Sequence, residues 1–222
     1  MIALFVASHL VATPAGAFSP GVHRALSERA VELEAEARLD ARAFGRATAM
    51  EDWNLARKWL VWSHYYRPDF PTRRRPSDER VASLLARIRD ADGAIDVLLG
   101  HAAHHVQDMA SPPHVVPVQH GLGDDFESSD MRALLGEVRG DGVAAMDPAA
   151  AQRALATETA ELVATGSLCG VPLADVWTSR EGRFGEVGVP FGELCDRDAF
   201  VRDRLDRALA YTRAVVRWSA GE

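Results

Sequence analysis

Cysteine is scarce in this chain, with only Cys169 and Cys195 among 222 residues. They form no Cys-x-x-Cys pair, which argues against a thiolate zinc site. Two readings stay open for them: one disulfide around the irregular stretch between them in an oxidising compartment, or two free buried thiols. No apolar run is long enough to span a bilayer. Repeats, low-complexity tracts and glycine-rich phosphate loops are all missing. Positive charge is also short, and the net charge of −7 argues against a broad footprint for duplex DNA or RNA. A local metal centre remains possible, because it brings its own positive charge.

What is present is an ordinary globular composition, 47% hydrophobic and 26% charged, in a length that suits one domain with a substantial core. Residues 1–17 read as a short export signal. They are mostly apolar and end in Ala15-Gly16-Ala17, a small-x-small cleavage pattern. Cleavage there starts the mature domain, 18–222, at Phe18 and places the protein in a secreted or periplasmic setting.

Histidine is concentrated rather than scattered. Five of the eight fall between Gly100 and Asp125: His101, His104, His105, His114 and His120. The helical pattern of Ile95, Leu98 and Leu99 continues through His104 and Asp108, which therefore stand one turn apart on one face. An imidazole and a carboxylate so placed form a chelating pair that suits zinc. Ser111-Pro112-Pro113 then stops the helix, since proline lacks the amide donor and restricts the residue before it. His120 and Asp124 repeat the same four-residue spacing beyond that stop. His101 and His105 make a rival pair at this spacing and read as supporting or core residues.

The remainder reads as helix, loop, helix. Ser19-Pro20 opens a helix to about Ala37, and His23 projects from its first turn. Asp40 caps a second helix that ends near Asp52. Further helices are expected over about 77–92, 93–110, 126–138, from Asp147-Pro148 to about Thr165, and over about 197–219. Residues 167–196 carry no defensible period. One straight helix over 52–64 would hold Asp52 and His64 about 18 Å apart, too far to share a metal. The aromatic run Trp59 to Tyr66 favours an extended course instead, so the spacing predicts helix to about Asp52, a turn, and extended chain into His64. The expected fold is a compact all-α domain.

With these residues in place, the sequence resembles the zinc-dependent phospholipase C fold, which bacterial phospholipases C share with fungal single-strand-specific zinc nucleases. The resemblance runs through Phe18-Ser-Pro-Gly-Val-His23, Glu51-Asp52, His64-Tyr-Tyr, His104-x-x-x-Asp108-x5-His114 and His120-x-x-x-Asp124. It implies a multi-helix bundle carrying three zinc ions. One would take Asp52, His64, His104 and Asp108. A second would take His114, His120 and Asp124, with Asp125 or Glu127 as alternatives to Asp124. The third would take the Phe18 amine and carbonyl, His23, and Asp108 as a bridge. Asp52 and Asp108 are the implied catalytic carboxylates of a phosphodiester hydrolase. The Gly-Gly-Asn and Asn-Leu-His-x-x-Trp-Asp motifs of the nuclease branch are absent. Trp53 stands where the phospholipase branch has an aromatic for a choline head group, an attraction with a cation–π basis. The resemblance therefore implies a phospholipid at a membrane surface as substrate, with single-stranded nucleic acid and nucleotides as the alternative. A non-catalytic domain held together by zinc is the third reading.

Overall fold

The computed structural model describes residues 18–54, 64–66, 76–90, 94–116, 125–126, 131–177 and 189–221. The expected export segment, the aromatic run up to residue 63, His120, Asp124 and Glu127 lie outside the described residues. Those that are described form a mostly helical protein with one two-residue-stranded hairpin. In chain order the helices are α1 (Pro20–Leu33), α2 (Ala41–Glu51), α3 (Pro76–Arg89), α4 (Ile95–Asp108), the single turn α5 (Pro112–Val115), α6 (Pro148–Thr165), the short α7 (Leu173–Val176) and α8 (Arg197–Ser219). No described helix is long and apolar enough to cross a membrane.

Local chemistry accounts for most of these boundaries. Asp40 accepts from the amides of Arg42 at 2.9 Å and Ala43 at 3.0 Å, satisfying two amides that helix geometry leaves unpaired. Asp147 does the same for Ala149 and Ala150 ahead of Pro148, which is pre-set for the first helical position. Residues 127–130 of the helix expected over 126–138 lie outside the described residues, and the rest is not α-helical. Its described part is a set of turns with a single 3-10 turn at Leu135–Glu137. Gly136 weakens a helix there, and Gly140 adopts φ +63° against Leu209 and Ala210, where a side chain would clash.

The stretch without a readable period holds the hairpin Ser167–Leu168 and Val171–Pro172. Its two-residue turn puts Cys169 at φ 54° and Gly170 at φ 79°, the left-handed pair that matches strand twist in such loops. Cys169 is disulfide-bonded to Cys195, with Cα atoms 6.0 Å apart, which resolves the two readings of the cysteines.

Helix α4 is the spine, packed against α1, α2, α3, α6 and α8. It comes closest to α2 at Gly100, where a Cβ would meet the Phe44 carbonyl oxygen at 2.5 Å and the Ala47 Cβ at 2.8 Å. Only glycine allows that approach, and the approach brings the C-terminus of α2 beside the histidine turn of α4. The main core includes Phe18, Leu26, Phe44, Leu99, Val106 and Leu205, all fully buried. Each side chain of this size stabilises the fold by about 1.5–3 kcal/mol on burial. Phe126 links the start of α1 to the C-terminal half, with its ring 6.3 Å from Phe18, 6.0 Å from Trp177 and 5.4 Å from Phe191.

Candidate metal centre

Five separate segments deliver side chains to one place beside α4. Helix α1 brings His23, and the residue that ends α2 is Asp52, held at φ −61° and ψ −30°. Helix α4 supplies His104 and Asp108, the short segment 64–66 supplies His64, and α5 supplies His114. None of the six is more than 6% exposed. Burying so many ionisable groups together is costly unless they are paired or hold a cation.

Their geometry divides around Asp108. Its Oδ1 lies 3.4 Å from His23 Nε2, and the same nitrogen is 3.9 Å from Asp52 Oδ2. Its Oδ2 lies 2.9 Å from His64 Nδ1, 3.2 Å from His104 Nε2 and 3.7 Å from His114 Nδ1. Two groups therefore have ligand atoms within 4.8 Å of one another: His23, Asp52 and His104, and His64, His104 and Asp108. Asp52 and His64 both have His104 within reach but fall in different groups, Asp52 with His23 and His64 with Asp108. Donor atoms around a tetrahedral zinc at about 2.0–2.2 Å stand about 3.3–3.6 Å apart, a spacing met by the His23–Asp108 pair.

The donor set fits a metal on a second ground. Two atoms that face each other in the cluster, His23 Nε2 and Asp108 Oδ1, are buried without a hydrogen-bond partner among the described residues. Each such atom costs about 1–3 kcal/mol if nothing satisfies it. A cation among the imidazoles and carboxylates offsets that cost, so this buried cluster can hold a metal ion. Its nitrogen and oxygen donors, without thiolate, are the borderline set that zinc accepts.

Electrostatics point the same way. Burial alone would raise the Asp108 carboxyl, but His104, His114 and His64 outweigh it and hold Asp108 well below the usual carboxylate range. Burial likewise opposes charge on His104, yet the Asp108 and Asp52 carboxylates push it up to about 9. At His64 burial wins over the pull of Asp108, and its value drops to about 3. Without metal, His104 thus keeps its proton near neutral pH, close to the carboxylates. Metal uptake must displace that proton, which couples uptake to pH.

Several contacts brace the ligands. His114 Nδ1 donates to the His64 carbonyl at 2.7 Å, and the Tyr66 amide donates to the His114 carbonyl at 2.8 Å, so segment 64–66 is tied to α5. The Tyr65 ring stacks on His114 at 5.1 Å, nearly parallel. Glu51, next to Asp52, is buried and meets Arg80 Nε at 2.8 Å, His101 Nδ1 at 2.7 Å and His105 Nε2 at 3.3 Å. Its carboxyl would be raised by burial, but these three partners hold it far below its ordinary value. The rival histidine pair therefore closes on a carboxylate already neutralised by arginine and supports the end of α2.

Phe18 is fully buried, with its ring 5.6 Å from His23 in an edge-on contact. Trp53 is 64% exposed, which rules out a core role for it. Asp125 accepts from the Gly192 amide at 3.3 Å and belongs to neither ligand group. The third grouping, Cys169, Cys195 and Asp196, offers no thiolate because both sulfurs are in the disulfide. Gln107, Arg80, Ser27, Thr48 and Thr212 carried no sequence signal, yet they lie in the network behind the cluster.

Comparison with protein-family models, with curated proteins and with solved structures gives no match. What the cluster can do follows from its own chemistry.

Proposed function

We propose that this protein is an exported zinc-dependent phosphodiesterase of the phospholipase C kind. The observation that carries the reading is Asp108, whose two carboxylate oxygens face different donor groups, as a carboxylate shared by two metals must. In this reading Asp52, His64, His104 and Asp108 hold one zinc. His23, Asp108 and the backbone of Phe18 hold another, and His114 with His120 and Asp124 holds the third. Zinc in such a cluster supplies a water that is nucleophilic near neutral pH and positive charge for the phosphoryl oxygens.

The chain's own groups supply the rest. In this reading Asp52, at the end of α2, would accept a proton from the attacking water. Trp53, the next residue, offers an exposed indole face beside the cluster, and that face attracts a quaternary ammonium group. The disulfide supports the exported setting, because such bonds persist in oxidising compartments. An exposed indole also stacks on a nucleobase, so a single-strand-specific nuclease is the second reading.

The test assays zinc-loaded protein beginning at Phe18 on phosphatidylcholine and on single-stranded DNA in parallel. Release of phosphocholine is expected, with little cleavage of DNA. Cleavage of DNA alone would give the nuclease reading. Bound zinc with neither substrate cleaved would leave a domain whose metals serve stability.

A further inference from the structure

We infer that Gln107 is a positioning residue: through a proton-ordered chain of side chains it fixes which nitrogen of His23 faces the metal centre. The chain runs between two helix carbonyls. The Phe44 carbonyl oxygen lies 2.9 Å from Thr48 Oγ1, which lies 2.9 Å from Ser27 Oγ. Ser27 Oγ is 2.9 Å from Gln107 Nε2, which is 3.1 Å from Thr212 Oγ1. Thr212 Oγ1 closes the chain 2.7 Å from the Ala208 carbonyl oxygen. Ser27, Thr48, Gln107 and Thr212 are all fully buried, so no solvent interrupts it.

Counting protons sets the direction. The chain contains five hydrogen bonds, and both its ends are carbonyl oxygens, which can only accept. Three hydroxyls and the two protons of the Gln107 amide nitrogen fill all five. Turning the amide over would put its oxygen between Ser27 and Thr212 and leave three hydroxyl protons for the same five places. Two buried oxygen pairs would then face each other with no proton between them, at about 1–3 kcal/mol for each unsatisfied group. Gln107 Oε1 is therefore the atom 2.8 Å from His23 Nδ1, and it accepts the Nδ1 proton. That leaves the lone pair of a neutral His23 on Nε2, the nitrogen 3.4 Å from Asp108 Oδ1.

The consequence is a metal ligand whose donor atom is chosen by residues that never touch the metal. Helices α1, α2, α4 and α8 all contribute, so the ligand is set only when they are assembled. The proton order stands on hydrogen bonding alone, and its effect on metal affinity rests on the function proposed above.

The test begins with the metal-free wild-type protein at alkaline pH, where imidazoles are neutral. Nitrogen-15 spectra are expected to show His23 with its proton on Nδ1. A ring protonated on Nε2 overturns the inference, with no variant needed. In Gln107→Met, which conserves volume but removes the acceptor, His23 should shift toward the Nε2–H form, and zinc affinity should fall about 10–100-fold. Gln107→Glu keeps an acceptor at Nδ1 and should keep the Nδ1–H tautomer, although losing the two amide protons lowers its stability. An unchanged tautomer in Gln107→Met, or a changed tautomer with unchanged zinc affinity, overturns the positioning role. Wild-type protein that takes up no zinc would instead defeat the proposed function, while the spectra would still decide the proton order.

Discussion

At the scale of single residues, Asp108 and Glu51 are both buried carboxylates near α4, and their surroundings give them opposite tasks. Asp108 keeps an oxygen without a hydrogen-bond partner among the described residues, whereas Glu51 is saturated by arginine and two histidines. Asp108→Ala is expected to abolish phosphodiester hydrolysis and release more than one zinc per chain, because removing a shared carboxylate leaves two cations facing each other. Metal analysis checks this, and loss of a single zinc would show that Asp108 does not bridge. Glu51→Leu leaves Arg80 half-buried without its partner and should cost about 3–5 kcal/mol of stability, the usual result of breaking a buried ion pair from one side. Denaturant melts of the zinc-free protein measure it without interference from metal binding. His104 and Asp108 were legible as candidate donors because their types are rare in cores and their spacing matches a helical turn. Gln107, Ser27 and Thr212 were not. Amides and hydroxyls are common everywhere, and their partners lie 80 and 105 positions apart, where no local period can join them.

At the scale of elements, boundaries were legible wherever a cap or a proline set them. Asp40, Asp147-Pro148 and the start of α8 stand where their spacing predicted, whereas the described part of 126–138, which has no such cap or proline, forms turns. Crossing points are a different matter. Gly100 lies in mid-helix, where propensity alone counts it a defect of about 1 kcal/mol. Its purpose emerges only from the Phe44 carbonyl that presses on it. Gly100→Ala should therefore destabilise the protein by about 1–3 kcal/mol, reversing the sign that propensity predicts, and should weaken zinc binding by displacing Asp52 from His104. Thermal melts with and without zinc separate the two effects.

The pairing of α6 with α8 gives a pH signature away from the metal. Glu158 accepts from Arg207 Nε at 2.7 Å and lies 3.5 Å from Arg204. Burial would raise its carboxyl, but Arg207 and Arg204 outweigh that and lower it. A carboxyl lowered on folding adds stability above its unfolded value, and that share is lost as pH falls below about 4.5. Glu158→Gln should thus be less stable than wild type near neutrality, by under about 1 kcal/mol at this half-exposed site. The gap should close under acid, which denaturant melts at a series of pH values would record.

For the whole molecule, fold class was legible because periodicity is local, and the hairpin was hidden because two short strands carry none. The convergence of α1, segment 64–66, α4 and α5 on one cluster was reached only through resemblance, since no physical rule in the sequence says which distant histidines meet. The start of the domain bears most directly on that cluster. Phe18 is fully buried between His23 and Phe126, so whatever precedes it emerges next to a proposed ligand. An α-amine at Phe18 has a free value near 7.7–8.0, and zinc draws it lower by favouring the neutral form. A peptide nitrogen has no such lone pair to give. Protein beginning at Phe18 should therefore bind one zinc more than the full chain or than a chain with one extra methionine before Phe18. Both longer chains should keep the site built on His104 and Asp108. Zinc stoichiometry and phosphodiester hydrolysis, measured on all three, decide it: equal zinc and equal rates would remove the amine of Phe18 from the centre.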